Sequence, residues 1–202
     1  MALSLAFFAV LSLIIYGIII TSVLSQSQQT VFAQQQQPLL QKPSKQQQQQ
    51  QLLLLQSNSL EVNKLLIKSF VQEVFNKHNL TALDKYYAPN IIQHNPMAGQ
   101  GRQGFKQFFI PFFSAFPDVH ATIEHILAEN SVVLVFLNWT GTHKGQFQGI
   151  PATNKPINMR TADLFRIDDT NGTIVEHWDV VDSLNLLNQV GAFTFNQSNA
   201  KK

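Results

Sequence analysis

Cysteine is absent from this chain of 202 residues, which excludes disulfides, thiolate metal sites and a cysteine nucleophile, while leaving an oxidising exterior permitted. Charge is scarce too. Asp, Glu, Lys and Arg make up 13% of the residues, the net charge is +2, and the basic side chains are scattered. The electrostatic footprint of a nucleic-acid binder is therefore missing, and no nucleic-acid partner is expected. Short-spaced ligand pairs such as HExxH are lacking, so no metal is expected. The glycine-punctuated stretch from Gly141 to Pro151 has neither the Lys-Ser/Thr ending nor the following helical pattern of a phosphate-binding loop, and it reads as a connection between strands.

What is present divides the chain into four parts. Ala2 to Leu24 carries no charged side chain and is as long as a membrane-crossing helix, about 20 residues. Residues 1–25 are therefore expected to be a signal peptide or transmembrane anchor. That places the domain outside the cytoplasm, membrane-anchored or secreted, and Val31-Phe32-Ala33 resembles a small-residue cleavage site. Residues 26–57 are dominated by glutamine, with no apolar periodicity to build a core, and are expected to be a disordered linker. Residues 58–191 hold the patterned sequence of one domain, and 192–202 form a tail.

Within the domain, Asn58 and Glu61 have capping spacing, and Leu60, Val62, Leu65, Leu66, Phe70, Val74 and Phe75 recur as in an amphipathic helix reaching about His78. A short helical piece from Thr81 to Tyr87 precedes a strand, Ile91 to His94, which Asn95-Pro96 stops. His94 at that strand end is open to either a structural or a pocket role. Phe105, Phe108, Phe109, Phe112, Phe113 and Phe116 share one helical face, which Pro111 is expected to kink or break, leaving a seam with room for a ligand. Val119–Ala128 and Val132–Thr142 make a long hairpin. Val132 to Trp139 is almost continuously apolar, as in a strand covered on both faces, and homodimerisation would cover one of them. On the strand from Asn158 to Ile167, Asp163 shares a face with Met159, Thr161, Phe165 and Ile167 and so needs a partner or a cavity.

The most informative stretch is GTIVEHWDVVDSLNLLNQVG, from Gly172 to Gly191. Strand alternation sends Val175, His177, Asp179 and Val181 to one face and Glu176, Trp178 and Val180 to the other. An imidazole and a carboxylate among valines are either a pair tuned for proton transfer or a satisfied pair on a half-wet sheet, and spacing alone leaves both open.

The order QHNP, FPD, GTHKGQFQGIPATNK, LFRI, GTIVEHWDVVD and LLNQVG resembles the SnoaL-like polyketide cyclase, or ester cyclase, family, of the nuclear-transport-factor-two-like superfamily. The resemblance implies an α+β fold over roughly residues 60–191: a cone-shaped barrel of N-terminal helices packed on a curved antiparallel sheet. It also implies a cofactor-independent cyclase, isomerase or lyase acting on a small apolar, polyketide-like carbonyl compound. In the characterised cyclases an aspartate on the last strand is general acid and base for an aldol ring closure. The matching position is Asp179, with His177 beside it. His94, Asp163, Phe116 and Trp139 are the implied pocket residues. Two positions depart from the family pattern. Asn154 stands where glycine is usual, and Asp163 where the polyketide cyclases carry a histidine, a loss that weakens the implied polyketide substrate. The alternative function is a non-catalytic, membrane-tethered module that binds a small molecule or dimerises.

Overall fold

The computed structural model describes residues 42–193 together with Gln26, Gln28, Thr30 and Val31. The apolar segment from Ala2 to Leu24, the cleavage-site motif at Phe32-Ala33 and most of the tail lie outside these residues. The chain divides into two units, 1–51 and 52–202.

The glutamine run is not a coil. Helix α1 covers Lys45–Phe70, and its start is capped by Ser44, whose Oγ accepts from the Gln47 backbone N–H at 3.2 Å while Gln47 Oε1 accepts from the Ser44 N–H at 2.9 Å. This is a reciprocal capping box made by Ser44-Lys45-Gln46-Gln47. Glutamine is a good helix former, so a cap suffices to start a helix that no apolar face demands. The expected start at Asn58 is thus mid-helix. Beyond Phe70 the helix widens into a π-turn, Val71–Asn76, whose Val71, Val74 and Phe75 are buried. A 3₁₀ turn at Leu80–Ala82 leads into the short helix α2, Leu83–Tyr86.

Five strands follow or interleave: β1 Tyr87–Gln93, β2 His120–Glu129, β3 Val132–Thr142, β4 Pro156–Ile167 and β5 Ile174–Val181, in the spatial order β1-β5-β4-β3-β2. Strands β2 to β5 are antiparallel neighbours, but β1 pairs with β5 in parallel. The sheet is therefore mixed, which corrects the expected all-antiparallel sheet. Pro89 is accommodated because β1 is an edge strand.

Helix α3, Gly101–Ala115, runs unbroken through Pro111 and so does not break into two pieces. The burial of Phe105, Phe109, Phe112 and Phe113 holds it together despite the lost N–H. Phe75 and Phe109 meet Trp139 of β3 at ring-centroid distances of 4.8 and 6.4 Å, and Phe70 meets Phe165 of β4 at 5.5 Å. Two loops are clamped to α3 by close backbone approach. A Cβ on Gly104 would lie 2.0 Å from the Gly99 carbonyl, and one on Gly145 would lie 2.5 Å from the Ser114 carbonyl oxygen. Asn154 has φ of 55°, a left-handed conformation that Asn tolerates better than most residues.

Helix α4, Ser183–Val190, begins at Asp182, which accepts from the Asn185 N–H. It ends in a Schellman motif at Gly191 (φ 91°), with the Ala192 N–H donating to Leu187 and the Gly191 N–H to Asn188. Gln189 grips the Asn158 peptide from both sides, accepting from its N–H at 2.6 Å and donating to its carbonyl at 2.7 Å, which holds α4 to β4.

Candidate functional site

Between α3, the inner face of β3–β5, α4 and the loop after β3 lies a cavity of about 770 Å³. Its wall is mostly apolar, with Phe108, Phe112, Met159 and Leu186 prominent, and Gln146 and Gln148 come from the loop after β3. That size and lining are those of a small-molecule site. At its inner end Asn95, Asp163 and Asp179 line both this cavity and a chamber of about 20 Å³, which Gln93 and His177 complete.

Alternation along β5 places His177 and Asp179 inward, as the sequence indicates. Asp179 pairs across the strands with Asp163, and His177 with Phe165, whose ring it stacks on at 4.6 Å. Asp179 Oδ2 accepts from Asn95 Nδ2 at 2.7 Å. Asn95 cannot turn round, because its Oδ1 accepts from the Met97 N–H at 2.8 Å in the Asn-Pro turn. Burial pushes the Asp179 carboxyl above its ordinary value; the Asn95 donor and His177 pull it down, and the Asp163 carboxylate opposite adds to the rise.

His177 is buried and held at both nitrogens, Nδ1 at 3.1 Å from Gln93 Oε1 and Nε2 at 3.2 Å from Asp163 Oδ1. Asp163 Oδ2 accepts from the Thr161 hydroxyl, which accepts from Trp139 Nε1 at 3.0 Å. Ligand atoms of Asp163, His177 and Asp179 lie within 4.8 Å of one another, the one such trio among the described residues. Both imidazole nitrogens already face oxygens within the protein, so the arrangement is that of a hydrogen-bonded network.

Of the residues singled out from sequence, Asp179, His177, Asp163 and Trp139 come together. His94 does not. It projects from the opposite face, its Nε2 donating to Glu176 Oε1 at 2.8 Å and its ring stacked on Trp178 at 4.5 Å. The period of two from Ile91 onward dictates this, burying residues 91, 93 and 95 and exposing 92 and 94. Phe116 is likewise not in the cavity wall. It is wholly buried behind Phe112, against Phe147 and His143. Gln93 and Asn95 belong to the site although the sequence does not single them out, and Thr161, expected only as a same-face neighbour of Asp163, bonds to it directly. The same alternation, carried two residues past the strand end, would have found the first two.

A profile described as SnoaL-like polyketide cyclase matches residues 65–190. Among solved structures, AclR of Streptomyces galilaeus, a proposed hydroxylase, is 26% identical with a TM-score of 0.61, covering 67% of this chain and 99% of that one. IdmH of Streptomyces antibioticus, a proposed polyketide cyclase, is 29% identical with a TM-score of 0.57, covering 64% and 98%. A proposed polyketide cyclase of Acidithiobacillus ferrooxidans is also 29% identical with a TM-score of 0.57, covering 66% and 96%. No curated protein matches the chain.

Proposed function

Because the chain belongs to the SnoaL-like polyketide cyclase family, we propose that it is a cofactor-independent cyclase or isomerase in which Asp179 moves a proton at the carbon next to a carbonyl of a small apolar substrate. The observation that carries this is the setting of Asp179. Its carboxyl is half-buried at the inner end of an apolar cavity, raised above its ordinary value by that burial, and aimed by the Asn95 amide. A carboxylate so desolvated is a stronger base than one in water, and acid–base groups of this kind contribute about 10²- to 10⁴-fold to rate. Asn95 holds Oδ2 and so fixes the orientation of the carboxylate.

The test is deuterium washout from benzoylacetone, a small aromatic β-diketone, followed by NMR. Catalysed washout that disappears in Asp179→Asn, with the fold retained, is the expected result. Equal washout by wild type and variant would remove Asp179 as the base, and tight binding without washout would favour the binding-module alternative.

The outer sheet face supports a second copy as partner. Phe136, Ala162 and Val180 lie in register there beside Leu134, Leu164 and Trp178, with Phe136 39% and Val180 74% exposed. Sedimentation of wild type and Phe136→Glu tests this, a shift from dimer to monomer being expected. The charge-free stretch from Ala2 to Leu24 supports an exported or membrane-held domain.

A further inference from the structure

The directions of the hydrogen bonds around His177 follow from two groups that can only donate. The Asn95 backbone N–H points at Gln93 Oε1 from 3.2 Å, which fixes that atom as the amide oxygen. His177 Nδ1, 3.1 Å from the same oxygen, must therefore carry a hydrogen. At the other end Trp139 Nε1 donates to Thr161 Oγ1, so the threonine hydroxyl hydrogen is directed to Asp163 Oδ2. Between these fixed ends lies the contact of Asp163 Oδ1 with His177 Nε2 at 3.2 Å, where the side chains are 6% and 3% exposed. Without a hydrogen there, two lone pairs would face each other away from water; with two, the hydrogens would collide. One hydrogen fits.

We propose that Asp163 and His177 share a single proton across this contact and that the pair is the second acid of the site, protonating the substrate oxygen while Asp179 takes a proton from carbon. The proposal rests on Asp179 being the base. It is supported by the direct pairing of Asp163 with Asp179 across β4 and β5, since two carboxylates in register repel unless a proton is held beside one of them. It is supported also by the small chamber of about 20 Å³ that Asp163, His177 and Asp179 line together, which has room for about one water and so gives the proton a path.

The transfers balance. Asp179 forms an O–H bond to the proton next to the carbonyl, and the C–H electrons become the double bond of the enol. The carbonyl π pair moves to oxygen, which takes the proton of the Asp163–His177 pair. In the closing half of an aldol reaction the enol carbon bonds to a second carbonyl carbon and the enol oxygen returns its proton to the pair. The new alkoxide takes the proton held by Asp179. No proton or electron is gained or lost.

Nitrogen NMR of the His177 imidazole in the unliganded protein tests the proton directly, without a substrate. A hydrogen on Nδ1 and a hydrogen-bonded, shared one at Nε2 are expected; a bare Nδ1 overturns the proposal. Asp163→Asn then separates structure from chemistry. Its amide can donate to Nε2 and accept from Thr161, so every bond survives but the transferable proton does not. An unchanged melting temperature and KM with washout from benzoylacetone slowed at least about tenfold are expected. Unchanged washout overturns the role of the pair. Washout that survives in Asp179→Asn instead sinks the assignment of the base, a failure the imidazole spectrum does not share.

Discussion

Strand β5 carries a histidine–carboxylate contact on each of its faces. Inward, His177 meets Asp163 at 3.2 Å; outward, Glu176 meets His94 at 2.8 Å and Arg166 at 2.6 Å. By distance the outer cluster is the tighter. Yet its charges are balanced by an arginine and partly wet, and hydrogen bonding from His94, then from Arg166, holds Glu176 below its ordinary value. On the inner face the carboxylates of Asp163 and Asp179 confront each other beside one histidine, and Asp179 moves the opposite way, upward by burial. Desolvation and unbalanced charge, rather than closeness of contact, distinguish the inner face from the outer one.

The largest expected effect breaks the comparison on the inner side: Asp179→Asn should lower turnover by about 10²- to 10⁴-fold, read by washout kinetics. Gly104→Ala comes next, because its methyl would collide with the Gly99 backbone and shift the loop carrying both His94 and Asn95. A loss of about 1–3 kcal/mol in denaturant unfolding, with reduced activity, is expected. The pH dependence of stability should carry opposite signs on the two faces. Asp179 binds its proton more tightly folded than unfolded, so its stabilising contribution is full below 3.8 and is lost as pH rises through its elevated folded value. Asp179→Asn should therefore melt higher than wild type at neutral pH, with the gain vanishing in acid. Glu176 contributes above 4.5 and loses that contribution as pH falls through its lowered folded value. Glu176→Gln should melt lower at neutral pH, by no more than about 1 kcal/mol, and match wild type in acid. Melting curves across pH check both.

Sequence reasoning reached the inner face of β5 because a period of two is a local rule, and the same rule placed Asp163 among Thr161 and Phe165. It missed Asn95 because an Asn-Pro turn reads as punctuation, whereas here the turn geometry aims the amide. The parallel pairing of β1 with β5 left no local trace, since the partners are brought together only by the rest of the sheet. Pro111 and the glutamine run misled for a shared reason. Local propensity is overridden by the burial of four phenylalanines in one case and by the capping box at Ser44 and Gln47 in the other.

The parallel edge has a consequence for how the protein is made. Asn95 and Asp179 are 84 positions apart, and the His94 N–H bonds to the His177 carbonyl at 2.9 Å, so the first strand waits for the last. During synthesis β1 leaves the ribosome long before its one neighbour exists, and this closure is the most entropically demanding step of the sheet. The contact of Asn95 with Asp179 should therefore be the last part of the cavity to form on folding and the first lost on truncation. A chain cut before Ile174 would keep the β2–β3–β4 meander but leave β1 as an unpaired edge open to aggregation.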